Sequence, residues 1–224
     1  RGRNYTRARG LVEAALERVW WHGWPARLEF LQQRPRRIDF SFEIEGLPPG
    51  VAPLRVGFAS DLHAGPTTSY SAIAEAFALL RGFRPDLLLL GGDYVLFSAR
   101  HSARLVEAIR SVEAPLGRFA VWGNHDLWAD DRLLGRRLGE AGVELLVNRT
   151  VRLAARPEVS IGGLDDAWTG QPDYHAAFTD PAPVHLLLMH GPEHLPQLVG
   201  RRFSLQLSGH THGGQIAWPT LTPL

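Results

Sequence analysis

Five apolar runs in this 224-residue chain each stop at side chains able to bind metal ions. LRVGFAS leads into Asp61-Leu62-His63, LLLLGG into Asp93, AVWG into Asn124-His125-Asp126, HLLLM into His190, and LQLSG into His210-Thr211-His212. Taken singly, an HxH pair is most often a surface turn and a lone Asp a loop cap. Five in series have a different reading, because ligands in open α/β sheets gather beyond the carboxyl ends of strands, which puts all five groups on one rim. Two carboxylates, one amide oxygen and four imidazoles, with His125 to spare, are too many for one tetrahedral ion and suit two ions sharing a bridge. Asp93, alone at the end of the most apolar run, is the candidate bridge, since a carboxylate offers one oxygen to each ion. Asn124 adds a neutral oxygen where an anionic substrate would resist further negative charge. Nitrogen and oxygen donors without sulfur suit Mn, Fe, Zn, Co or Mg.

The elements that must position these groups are legible in the spacing. From Leu54 onward strand-like and helix-like stretches alternate, with helices expected over SYSAIAEAFALLRGF, ARHSARLVEAIRSV and DDRLLGRRLGEAG, so the class is α/β. VELLVN, VRLAA, VSIGGL, VHLLLMH and SLQLSG make the second half richer in strands, with a helix-like stretch from Pro192 to Val199. Runs such as LLLL and HLLLM imply sheets covered on both faces. Upstream, Ile38, Phe40, Phe42 and Ile44 alternate with polar residues as a half-buried strand does, before Pro48-Pro49-Gly50 turns the chain. Glycines at 92, 123, 191, 209 and 213 stand beside the candidate ligands and are expected to let backbones turn sharply and approach closely.

Composition bounds the function. A net charge of +1 and no basic stripe with interleaved aromatics near the motifs argue against a nucleic-acid partner. The absence of Cys excludes disulfides, iron–sulfur clusters and thiol nucleophiles. No apolar run approaches the roughly 18 residues needed to span a bilayer, and no signal-peptide core is visible. The chain starts at Arg1, which is compatible with prior removal of a targeting or anchoring segment. Residues 1–37 hold nine Arg against Glu13, Glu17 and Glu29, and combine an amphipathic pattern with Trp20, Trp21 and Trp24. Two readings stay open for residues 7–34: an interfacial segment that meets anionic lipid, or a helix packed on the sheet. The expected division is a basic, Trp-rich segment over 1–37 and one catalytic domain over 38–224 whose C-terminal end is truncated.

The blocks D61-x-H63, G92-D93, G123-N124-H125-D126, H190 and G209-H210-x-H212 resemble, in order, the metal-binding blocks of the calcineurin-like metallophosphoesterases. The wording SDLHAG, GGDY, GNHDLW, GGLDD, LLLMHGPE and LSGHTHGGQI is similar to a bacterial branch typified by the YkuE and YaeI phosphodiesterases and related to hydrolases of UDP-2,3-diacylglucosamine. That resemblance implies a sandwich of two mixed β-sheets flanked by helices, with the metal site at the C-terminal strand ends. It implies two divalent ions, Mn in first place with Fe, Zn, Co or Mg as alternatives. One ion would take Asp61, His63, Asp93 and His212, the other Asp93, Asn124, His190 and His210. His125 would then stabilise phosphoryl oxygens or protonate the leaving alkoxide, with Asp126 orienting it.

The implied reaction is hydrolysis of a phosphodiester or pyrophosphate by in-line attack of a hydroxide held at the ions. The alternatives are a UDP-2,3-diacylglucosamine pyrophosphatase of the lipid A pathway and a metal-binding scaffold without turnover. The resemblance further implies a location at the bacterial envelope, exported or membrane-associated, with a cytoplasmic one still open. Asp165 and Asp166 either contact substrate or cap their loop. His22, His101, His175 and His185 carry no motif, His194 stands four residues after His190, and Tyr94 and Gln215 are plausible supports for the ligands.

Overall fold

Leu87–Leu90 is apolar at every position because both of its faces are covered. Leu87 and Leu89 face a second sheet, whereas Leu88 and Leu90 face helices, the side-to-side alternation a strand imposes. This strand, β2, lies in a computed structural model that describes residues 34–45, 47 and 50–212, together with Thr6, Ala8, Leu11, Val12, Ala14, Ala15 and Arg18. His22, the three tryptophans of the N-terminal segment, Gly213 and Gln215 lie outside the described residues.

β1 (Val56–Ala59), β2, β3 (Arg118–Ala120) and β4 (Val143–Leu145) form one sheet in that order, parallel throughout. Helices α1 (Tyr70–Phe83), α2 (Ser102–Arg110) and α4 (Asp131–Glu140) fall between successive strands. Ser69 starts α1 by accepting from the Ala72 amide, and Asp130 does the same for Leu133 in α4. Their apolar faces, Ile73 and Phe77, Leu105 and Ile109, Leu134 and Leu138, cover one side of the sheet. The second sheet has the order β5 (Arg149–Leu153), β6 (Arg156–Gly163), β7 (Val184–Leu188), β8 (Leu205–Leu207), an antiparallel hairpin followed by parallel pairs. Val159, Ile161, Leu186 and Leu188 meet Leu87, Leu89, Phe119 and Val121 between the sheets. The expected two-sheet α/β sandwich is therefore present, with one sheet mixed and the other wholly parallel.

Three local readings change. Ile38–Ile44 alternates but forms no strand: Ile38, Phe40 and Phe42 are 62–76% exposed, and only Ile44 packs on the core between the sheets. Alternation yields a strand only where a sheet edge accepts it, and no described strand pairs with this segment. Pro192–Leu198 is a 3₁₀ helix containing Pro196, whose missing N–H and ring oppose a regular α-helix. A five-residue helix, α3 (Asn124–Trp128), begins at one of the candidate ligand motifs, where no helix was anticipated. Among the described residues no helix is long and apolar enough to cross a membrane.

His185 is buried in β7 and locks this sheet to the Ala176–Phe178 turn. Its Nε2–H donates to the Ala177 carbonyl at 3.0 Å, leaving Nδ1 to accept from Ser160 Oγ at 2.8 Å. Ser160 Oγ in turn accepts from the Ala182 amide at 2.8 Å. Burial holds the imidazole below its ordinary pKa, and the bond to Ala177 only partly opposes this. The unfolded state then binds the extra proton first, so stability is complete above about pH 6.5 and falls as the pH drops below it. One such group contributes at most about 1.4 kcal/mol per pH unit. Thermal midpoints measured on metal-free protein from pH 8 to 5 are expected to show this acid-side loss, and His185→Gln, which keeps an amide donor but does not titrate, should reduce the slope. An unaltered slope would remove His185 from the account.

Candidate metal centre

The loops after β1 and β2 continue side by side beyond the strands, through Asp61 N to Gly92 O, His63 N to Asp93 O and Ala64 N to Tyr94 O at 2.9–3.0 Å. Asp61, His63, Asp93, His210 and His212 all have positive φ, between 43° and 69°. A non-glycine residue held there costs on the order of 1 kcal/mol, and such strain concentrates at functional sites. The neighbouring glycines answer to space more than to flexibility. Among the described glycines beside the candidate ligands, 92, 123, 191 and 209, only Gly92 has positive φ. At Gly123 a Cβ would collide with the Asp93 carboxylate, and at Gly209 with Ser60 Oγ and Asp61 Oδ2. Gly209→Ala should therefore leave the fold intact but push the His210–His212 loop away from Asp61, lowering metal affinity by roughly 10–100-fold, the range for disturbing a ligand's support. Metal titration with a thermal melt checks this, and unchanged affinity would show that the loop absorbs the methyl group.

The candidate ligands converge. Among the described residues three overlapping groups could each hold an ion: Asp61, His63 and His212; His63, Asp93 and His125; and Asp93, His190 and His210, the donor atoms of each lying within 4.8 Å of one another. His63 Nε2 lies 3.2 Å from His212 Nε2, and His212 Nε2 lies 3.4 Å from Asp61 Oδ1. His210 Nδ1 lies 3.1 Å from Asn124 Oδ1 and 3.3 Å from His190 Nε2. Asp93 Oδ2 faces both clusters, 3.6 Å from His63 Nε2 and 3.3 Å from His190 Nε2. Atoms bound to a common ion at about 2.1 Å lie roughly 3.0–3.4 Å apart, so this donor set fits divalent cations. The seven residues named as ligands from sequence all belong to this assembly.

Backbone groups aim the side chains. His190 Nδ1–H donates to Gly91 O at 2.7 Å, which turns Nε2 inward. The His210 amide donates to Asp61 Oδ1 and Oδ2 at 3.0 and 3.1 Å, tying the last ligand loop to the first. His125 is held by the Leu96 carbonyl, 2.5 Å from its Nδ1, and its ring packs against His63 and Trp128 at 4.7 Å each. Asp126 does not reach His125 in the manner expected from its position. Its carboxylate accepts from the amides of Asp93 at 2.7 Å, Tyr94 at 2.8 Å, Gly123 at 3.0 Å and Val95 at 3.3 Å, clasping two ligand loops together. A carboxylate three residues into a short helix turns back onto the helix start, where unpaired N–H groups point.

The same crowding sets the charges of the metal-free protein. Burial pushes His63 down to about 4, helped by His125 and His212 and opposed by Asp93. Burial would lower His190 too, but the adjoining Asp93 carboxylate raises it to about 9. Burial and Asp93 push Asp126 upward, while its amide donors favour the anion. Tyr94 is fully buried, its hydroxyl between the carbonyls of Leu90 and Val121, so it supports β2 and β3 and not the ions directly.

Asp165 and Asp166 are buried loop builders: Asp165 accepts from Asp166 N and Gln171 N at 3.0 Å, and Asp166 from Trp168 N, Thr169 N and Thr169 Oγ1 at 2.7–3.1 Å. His194 lines a small cleft beside His190 with Leu164, Met189 and Tyr174, and its Nδ1 lies 3.2 Å from the Tyr174 hydroxyl. Sequence reasoning missed the Leu96 and Gly91 carbonyls, which every residue type carries. It also assigned nothing to Trp168 and Glu193, although both lie in or beside the quoted motifs.

The profile of the calcineurin-like phosphoesterase family matches residues 54–214. The chain is 36% identical to Phosphodiesterase YaeI of Escherichia coli over 176 residues, 75% of this chain and 64% of that protein. It is 28% identical to the uncharacterized metallophosphoesterase YkuE of Bacillus subtilis, over 80% of this chain and 65% of YkuE. It is 27% identical to the UDP-2,3-diacylglucosamine pyrophosphatase LpxG of Chlamydia trachomatis, over 74% of this chain and 65% of LpxG. The chain thus spans just under two thirds of the length of these curated relatives.

Proposed function

The chain belongs to the calcineurin-like phosphoesterase family of hydrolases, and on that premise we propose that it cleaves a phosphodiester or pyrophosphate bond at a centre of two divalent ions. The observation that carries the reading is Asp93 Oδ2, which stands within 3.6 Å of His63 Nε2 on one side and 3.3 Å of His190 Nε2 on the other. Asp61, His63 and His212 would hold one cation, Asn124, His190 and His210 the other, and Asp93 both. Two such cations would supply positive charge that activates water and neutralises the phosphoryl oxygens. His125, with Nδ1 committed to Leu96, has Nε2 free to bind a phosphoryl oxygen or pass a proton to the leaving alkoxide. Asp126 keeps the Asp93 and Asn124 loops in register. Metal analysis of protein loaded with Mn, followed by turnover of bis(p-nitrophenyl) phosphate, tests the reading. Two ions per chain and Mn-dependent hydrolysis are expected; one ion, or two ions without hydrolysis of any diester or pyrophosphate, would refute it.

Similarity to LpxG favours a lipid-linked pyrophosphate within that class, which acyl-chain dependence of turnover would test. Contact with the membrane through residues 7–34 fits this substrate. Ala8, Leu11, Val12, Ala14, Ala15 and Arg18 are helical, with Leu11 73% exposed. Liposome flotation should increase with anionic lipid, decrease with salt and disappear on deletion of residues 1–34, with hydrolysis of a small diester retained. Flotation unaffected by the deletion would return this segment to a structural role and leave an envelope location without support.

A further inference from the structure

Trp168 is 64% exposed at the rim of the metal centre, and its position is built from both sides. The loop below it is folded around Asp165 and Asp166, and Gly170 has no room for a Cβ because the Asp165 carboxylate and Asp166 carbonyl fill the space. From the opposite side the Glu193 carboxylate accepts the indole N–H. Glu193 itself lies over Gly191, where a Cβ would meet its carboxylate. Gly191 directly follows the candidate ligand His190. With its N–H committed to Glu193, the exposed indole has no polar group left to offer and presents apolar ring surface. Its ring centroid lies 5.7 Å from that of His210, inclined by 34°, so the platform adjoins a candidate ligand. Nothing in the reaction proposed above uses this residue.

We propose that Trp168 is a substrate-binding platform on which a ring carried by the phosphoester, a sugar or an aromatic group, lies by its face while the phosphoryl group occupies the metal centre. Asp166 and Glu193 are its positioning residues. A ring attached to a phosphoryl oxygen needs to extend only a few ångströms to reach an indole beside His210, whereas a methyl ester has nothing to place there. Stacking of a ring on an aromatic side chain is worth roughly tenfold in affinity.

This inference rests on the phosphoesterase reading and is tested by binding, independently of turnover. Mn-loaded protein is titrated calorimetrically with methyl phosphate, phenyl phosphate and glucose 1-phosphate. Phenyl phosphate, glucose 1-phosphate or both are expected to bind about tenfold more tightly than methyl phosphate, and which of them does so distinguishes an aromatic from a sugar ring. Trp168→Ala should abolish that margin without changing methyl phosphate binding, and Trp168→Phe should retain most of it. A margin that survives Trp168→Ala, an equal loss for all three esters, or no margin in the unaltered protein would overturn the platform and leave the phosphoesterase reading standing. Failure of every ester to bind would also overturn the platform, while the phosphoesterase reading stands or falls separately on the ion count and on hydrolysis of bis(p-nitrophenyl) phosphate.

Discussion

Asp93→Asn is expected to deplete both ions together and to reduce phosphodiester turnover by on the order of 10³-fold or more, equivalent to losing about 4 kcal/mol of charge stabilisation. The reason is directional. Asp93 Oδ1 already accepts from the His125 amide at 2.9 Å, so the single oxygen of an asparagine is claimed there. The amide NH₂ then points at His63 and His190 in place of Oδ2. A donor group facing two sites destabilises a cation in either. His63→Ala should behave differently, weakening one ion while sparing the other, because His63 stands with Asp61 and His212 on one side of Asp93, opposite His190. Metal content by mass spectrometry, with circular dichroism to verify folding, separates the two variants. A folded Asp93→Asn protein that retains two ions would rule out the shared carboxylate.

His125→Ala should retain both ions and lose about 10² to 10⁴ in turnover, the span for a positioned acid or base. None of the close contacts between the seven candidate ligands depends on the His125 ring, and its backbone amide, which holds Asp93, survives the substitution. If the ring passes a proton to the leaving group, the loss should shrink for p-nitrophenyl esters, which leave unaided, and stay large for alkyl esters. Equal losses on both substrates would assign the ring to phosphoryl-oxygen binding. Restored alkyl-ester turnover on adding imidazole would support the proton-transfer role, since the small base can enter the space vacated between His63 and Trp128.

Much of this architecture is readable along the chain because the relevant regularities are local. Apolar periods of two and 3.6 and the unbroken Leu87–Leu90 run each depend on neighbours a few positions away. The donor types and their placement after strands likewise belong to single loops, so Asp61, His63, Asp93, Asn124, His190, His210 and His212 could be named without coordinates. Ile38–Ile44 marks the edge of such reasoning, since its alternation specifies a strand only if a sheet edge is free to receive it.

Other features arise only when distant segments meet. Which imidazole stands beside which carboxylate depends on loop paths that bring His212 to His63 and His210 to Asn124, 149 and 86 positions apart. Asp126 adjoins His125 in sequence yet serves the Asp93 loop, because the start of α3 presents amides that a carboxylate satisfies at less cost than remaining buried alone. His125 takes its orientation from the Leu96 carbonyl, and Trp168 its place at the rim from Glu193. Side-chain chemistry is a property of residue type and can be read one letter at a time. Donor direction, left-handed backbone and the choice of hydrogen-bond partner are set by packing between loops far apart in sequence, and backbone carbonyls and amides, which supply many of those partners, carry no signature in the amino-acid code.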